Sequence, residues 1–170
     1  MLGRPSSAEA APYYFTYINQ VVGEDPLSAI ENQIDESLAF FTAISEETSK
    51  HRYAPEKWSI RQVLNHVTDT ERSFAFRALW FARGFQDPLP SYEQDIAAAG
   101  AQADAVVWAD HIEEFRRVRL ATLSLFKNMP AEAWSRTGIA SGNRFSVRAL
   151  AFITAGHVTH HVRILKERYL

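Results

Sequence analysis

Residues 146–168 read SVRALAFITAGHVTHHVRILKER, and their spacing decides the fold. Val147, Leu150, Thr154, His157, His161 and Ile164 recur every three or four residues, the period of a helix with one buried face. Ser146 suits the N-cap position, and Ser141-Gly-Asn143 ahead of it is turn chemistry. Two histidines therefore occupy places where a core residue is expected. At about 100° per residue, His157 and His161 lie about 40° apart with about 6 Å of rise, so both imidazoles can point at one spot. His160 is turned about 100° from His161 and sits on the shoulder of the stripe.

The same period appears in three earlier segments. One runs from Pro26 to about Lys50 through Leu27, Ile30, Ile34, Leu38, Phe41 and Ile44, with Asp25 as its cap and Pro26 in its first turn. Another runs from Ser59 to about Arg83 through Ile60, Val63, Leu64, Val67, Phe74, Ala78 and Phe81. It opens with a Ser59/Gln62 capping box and is stopped by Gly84. The third runs from about Asp104 to Asn128 and ends at Pro130. Nothing reads as a strand. Four amphipathic helices of this length bury their stripes most simply as an all-α four-helix bundle, preceded by a short aromatic helix or arm at Tyr13–Ile18. Sequence alone leaves the order of the helices open. Residues 1–12 read as a loose tail on a single domain of 170 residues.

Composition narrows the function. A net charge of −2 provides no basic surface for nucleic acid. No apolar run is long enough to span a bilayer, and the first residues, with Pro5 and Glu9, do not read as a signal peptide, so a cytoplasmic protein is expected. With no cysteine, no disulfide forms and no protein thiolate can act as nucleophile or ligand.

A lone histidine on an apolar face reads as a satisfied core residue. Two at this spacing need partners for both ring nitrogens, which a metal ion supplies. Two imidazoles hold a metal poorly, so a third ligand is expected. His66, on the shoulder of its helix's stripe, and His111, beside Trp108 and Phe115, are both candidates, as are the carboxylates; His51, beside Arg52, reads as solvated. Di-iron bundles use paired Glu-x-x-His motifs, and no glutamate here has a histidine three residues on.

The stretch KWSIRQVLNHVTDTE (57–71), taken with GHVTHHVRIL (156–165) about 90 residues later, resembles the paired motifs of the DinB/YfiT-like metalloenzymes. The resemblance implies up-down-down-up connectivity and one divalent ion, nickel, zinc or iron, held by His66, His157 and His161. It also implies a homodimer and a small-molecule substrate, with low-molecular-weight thiols serving some members in S-transfer and hydrolysis as the other chemistry. A non-catalytic, stress-associated binding or dimerisation bundle with a structural metal is the alternative. Asp69, Glu71, Gln62 and His160 are candidates to support the imidazoles. Trp58 and Arg148 are candidates to line the pocket.

Overall fold

The computed structural model describes residues 2–170. Its helices are α1 (Phe15–Ile18), α2 (Pro26–Thr42), α3 (Ile60–Ala82), α4 (Gln94–Ala101), α5 (Trp108–Lys127) and α6 (Val147–Arg168), with a hairpin of β1 (Thr137–Ala140) and β2 (Asn143–Ser146) before α6. Local chemistry sets most helix starts. The Asp25 carboxylate accepts from Leu27 N at 3.1 Å and Pro26 occupies the first turn of α2. Ser59 and Gln62 form the expected reciprocal box at α3, and Ser146 Oγ accepts from Ala149 N at α6.

Side-chain contacts fix the order of the four long helices. Gln33 reaches Ala155 and Thr159, and Lys166 lies over the Phe40 ring, so α2 and α6 run parallel. Glu31 pairs with Lys127 while Phe41 meets Trp108, so α5 runs against α2. Arg61 donates to the Val106 carbonyl and Arg119 to Glu71, so α3 and α5 are parallel. The Tyr169 hydroxyl donates to the Trp58 carbonyl, so α3 and α6 are antiparallel. The result is up-down-down-up, with α2, α5, α3 and α6 in order around the bundle. Both α2–α3 and α5–α6 are diagonal pairs, which is why their connections are long.

The structure departs from the sequence expectation in five places. First, α2 stops at Thr42 and not near Lys50. Ser45 Oγ accepts from Thr48 N, and the Ser49 hydroxyl donates to the Glu46 carbonyl, so local side-chain bonds replace the helical ladder there. Second, α5 begins at Trp108 because Asp104, the expected start, is engaged elsewhere. Its carboxylate accepts from Ser59 Oγ and from Arg52, and Glu46 caps Trp108 N at 2.9 Å from a different segment. Third, the long connection after α3 folds its alanine-rich stretch into α4. Fourth, a hairpin does exist, turning on Ser141-Gly142 with φ of 51° and 71°. Strands of four residues are too short for alternation to register in the sequence. Fifth, the segment before Pro12 is tied down. Arg4 donates to the Ile18, Val21 and Gly23 carbonyls, and Glu9 pairs with Arg148 and accepts from Ser146 Oγ. Arg148 buttresses this N-terminal segment and does not line the pocket expected for it.

Two apolar clusters fill the bundle. One centres on Ile30, Phe74, Phe126, Leu150 and Phe152, the other on Phe41, Ile60, Leu64, Phe115 and Leu165. Between them each long helix contributes a polar side chain: Gln33, Glu71, Arg119 and His157.

Gly156 is required by packing. A Cβ there would lie 2.0 Å from the Tyr17 carbonyl oxygen, so only glycine lets α1 lie on α6. Helix propensity favours Gly156→Ala by roughly 0.5–1 kcal/mol. The clash opposes it and wins, because forcing atoms into a packed contact costs about 1–3 kcal/mol and here meets backbone. Gly156→Ala is expected to lower the melting temperature by several degrees. An unchanged or raised melting temperature would show that α1 is not docked this way.

A buried three-histidine cluster at the head of a pocket

His66 lies in the second turn of α3, and His157 and His161 share one face of α6. Because α3 and α6 are antiparallel neighbours, the three imidazoles meet. Each offers a ligand nitrogen, and these atoms lie within 4.8 Å of one another. The Nε2 atoms of His157 and His161 are 3.1 Å apart. Tetrahedral ligation with bonds of about 2.0–2.1 Å separates ligand nitrogens by about 3.3 Å, so the pair already has the spacing of a chelate. His66 Nδ1 is 3.3 Å from Thr70 Oγ1, one turn on, which leaves its Nε2 free.

The cluster is held in the neutral, lone-pair-bearing form. Burial pushes His66 down to about 4, against a small opposing effect of Asp95. Burial, then the neighbouring His66 and His160, push His161 down to about 3. His157, almost fully buried, is lowered by burial and then by His161, His66 and His160. Three neutral imidazoles crowded into a buried site are a donor set suited to a divalent transition metal, and they do not select among zinc, nickel and iron.

Aromatic rings enclose the cluster. Trp58 lies 5.0 Å from His66 between centroids, tilted at 48°, and packs against that imidazole without lining the neighbouring cavity. The edge of Tyr17 meets both His157 and His160, and Phe74 meets His157. Tyr17 was not anticipated as a site residue; it arrives through the α1–Gly156 contact, which no local pattern encodes. Burial, reinforced by Tyr13, raises its phenol above the ordinary value, so it remains a proton donor. A cavity of about 110 Å³ opens beside the histidines. His66, Thr70, Tyr17, Tyr92, Arg77 and Ser141 are among its lining residues.

Other candidates lie elsewhere. His160 Nδ1 is 3.2 Å from the Gln20 amide, and its ring packs on His161. Gln62 is engaged in the capping box and Asp69 pairs with Arg72, so neither bonds an imidazole. Glu71 is buried against Arg119. His111, the alternative third histidine, is also buried but outside the cluster, with Nε2 2.8 Å from the Ala103 carbonyl.

An up-down-down-up bundle that brings three imidazoles from two antiparallel helices to the head of a pocket defines a class of helical proteins. The chain belongs to the DinB superfamily, whose family model matches residues 29–165. Among solved structures it is similar to YfiT from Bacillus subtilis, described as "a probable metal-dependent hydrolase with an unusual four-helix bundle topology". That likeness has a TM-score of 0.72 and 12% sequence identity, over 96% of this chain and 89% of that one, and it shows the shared fold. No curated protein matches the chain in sequence. Among the described residues, no helix is long and apolar enough to cross a membrane.

Proposed function

We propose that this protein is a metal-dependent enzyme acting on a small molecule, with His66, His157 and His161 holding one divalent ion. The observation that carries the reading is the convergence of three neutral imidazoles, two buried and one half-buried, at the head of a pocket. Three protein ligands leave coordination positions open, as catalytic sites do and closed structural sites do not. When bound, the ion supplies Lewis acidity and lowers the pKa of a water or thiol beside it. Hydrolysis and thiol transfer both begin from such a nucleophile. Since the chain has no cysteine, the thiol in the second case comes from the substrate. Trp58 and Phe74 exclude water from the histidines, Thr70 orients His66, and Tyr17 holds a proton at the pocket wall.

The test is metal analysis of protein purified without a tag, followed by chelation. About one divalent ion per chain is expected. Turnover is measured on activated esters and on an electrophile offered with small thiols. Chelation is expected to abolish that turnover while moving the melting temperature by only a few degrees, because the two apolar clusters fold the bundle without the ion. A collapse of stability on chelation would assign the ion a structural role instead.

A further inference from the structure

Arg77 is a buried cation without a counter-ion. Three arginines are buried in this protein: Arg61, Arg77 and Arg119. Arg61 pairs with Glu46, and Arg119 pairs with Glu71. Arg77 is only 5% exposed, yet no carboxylate among the described residues pairs with it. Its Nη2 donates to Ser141 Oγ at 2.9 Å and reaches the Pro90 carbonyl only at 3.5 Å. Taking a guanidinium out of water without an opposing charge is costly, so such groups are paired when a site is complete.

Its placement shows where the missing charge belongs. His66, Thr70, Ser73 and Arg77 are spaced so that all four fall within about 60° on one face of α3, and all four line the cavity. The column runs from the histidine cluster at one end to the guanidinium at the other. Side chains on a helix lean toward its N-terminus, which tips Arg77 back toward His66. Ser141, which holds Nη2, has a φ of 51°, a left-handed conformation that costs a non-glycine residue about 1 kcal/mol. That strained turn keeps its hydroxyl on the guanidinium.

We infer that Arg77 is the anchor for a single carboxylate carried by the substrate, whose reacting end lies at the histidine cluster. This rests on the pocket being the substrate site of the proposed enzyme. One planar guanidinium balances one negative charge and matches a carboxylate in a bidentate fork. Tyr14, Tyr17, Phe74 and Tyr92 contribute aromatic rings to the lining, with the Tyr14 hydroxyl, a neutral group, beside the Arg77 guanidinium. At about 110 Å³ the cavity is smaller than an enclosed apolar cavity of about 150 Å³ that admits benzene, but it is open on one side, so a ring can enter with part of it left outside. The substrate class is therefore a small aromatic or short-chain monocarboxylate.

The experiment uses 4-fluorobenzoate and its uncharged counterpart 4-fluorobenzamide as probes. Both are titrated by fluorine NMR into chelated and zinc-loaded protein, using wild type, Arg77→Met, Arg77→Lys and Ser141→Ala. The acid is expected to bind wild type in both forms. Arg77→Met should weaken it by about tenfold or more, the size of a lost charge-assisted hydrogen bond, with Arg77→Lys weakened less. The amide should bind weakly and equally to wild type and Arg77→Met. If Arg77→Met fails to fold, Ser141→Ala decides, with about a threefold loss expected and no loss overturning the inference. Equal binding of the acid to wild type and folded Arg77→Met also overturns it. Should zinc not bind while the acid still depends on Arg77, the metal reading falls and the anchor stands. Should zinc bind while the acid ignores Arg77, the anchor falls and the metal reading stands.

Discussion

His157→Ala is expected to strip the protein of divalent metal, from about one ion per chain to below roughly a tenth, with His161→Ala and His66→Ala doing the same. Each substitution leaves two imidazoles, and two neutral nitrogens on a bundle wall form a weak site. Even loss of a group that merely supports a ligand lowers affinity by about 10–100-fold, so loss of a ligand should exceed that range. The controls are His51→Ala, at an exposed position, and His111→Ala, whose ring bonds the Ala103 carbonyl outside the cluster. Both should retain the ion. Metal analysis after dialysis, with circular dichroism to confirm folding, checks the set. Retention in His66→Ala together with loss in His111→Ala would assign the third ligand to the other helix.

The same site sets a pH dependence. Ligand imidazoles must be deprotonated, and burial already holds His66 near 4 and His161 near 3, below their ordinary 6.5. Protons therefore compete poorly, and metal retention should be flat from pH 8 to 6. It should then fall toward pH 4 and 3. For the metal-free protein, depressed folded values mean that the unfolded chain binds more protons below about 6.5. Its stability should be constant above that pH and decline as the pH drops through the folded values. Stability rising on acidification over this window would show that the histidines are not buried as neutral groups.

What the sequence disclosed follows from the range of each interaction. The Ser59/Gln62 box, the Asp25 cap and the Ser146 cap are contacts within three residues, and their helices begin where expected. The start of α5 was misplaced because Asp104 is claimed by Ser59 and Arg52, more than 40 residues away. The His157–His161 pairing is a property of one helix and was readable from spacing. Joining His66 to it needed the arrangement of α3 against α6, which only the family resemblance implied. Glu71, five residues after His66, is turned about 140° from it and so faces the bundle interior, not the cluster. Arg77 went unnoticed because an arginine on a helix ordinarily extends into solvent. The warning was there in its apolar neighbours Phe74, Ala78 and Phe81, which put position 77 next to the buried stripe.

The interior that Glu71 faces carries the second large expected effect. Arg119 Nη1 donates to Glu71 Oε2 at 2.8 Å with both side chains essentially inaccessible, and Arg119 also donates to Gln33 Oε1. Gln33 in turn donates to the Ala155 carbonyl and Thr159 Oγ1. One polar chain thus crosses α3, α5, α2 and α6 beside His157. It is incompletely satisfied: Glu71 Oε1 and Arg119 Nε lack partners among the described residues. Burial raises the Glu71 carboxyl above its ordinary range, and the Arg119 charge pulls it back. Arg119→Met removes that opposing charge and leaves a carboxyl in the core. Breaking a buried pair in this way costs about 3–5 kcal/mol, or roughly 10 °C in melting temperature for a chain of this size. Adding Glu71→Leu to Arg119→Met should restore most of the loss, since an apolar replacement of the whole pair is often neutral or stabilising. Thermal melts of wild type, the single variant and the double variant form the test. If the double variant is no more stable than the single, the loss is one of packing at Arg119 and not of uncompensated charge. If the double variant regains stability but retains less metal, the network is holding α6, and with it His157, in register.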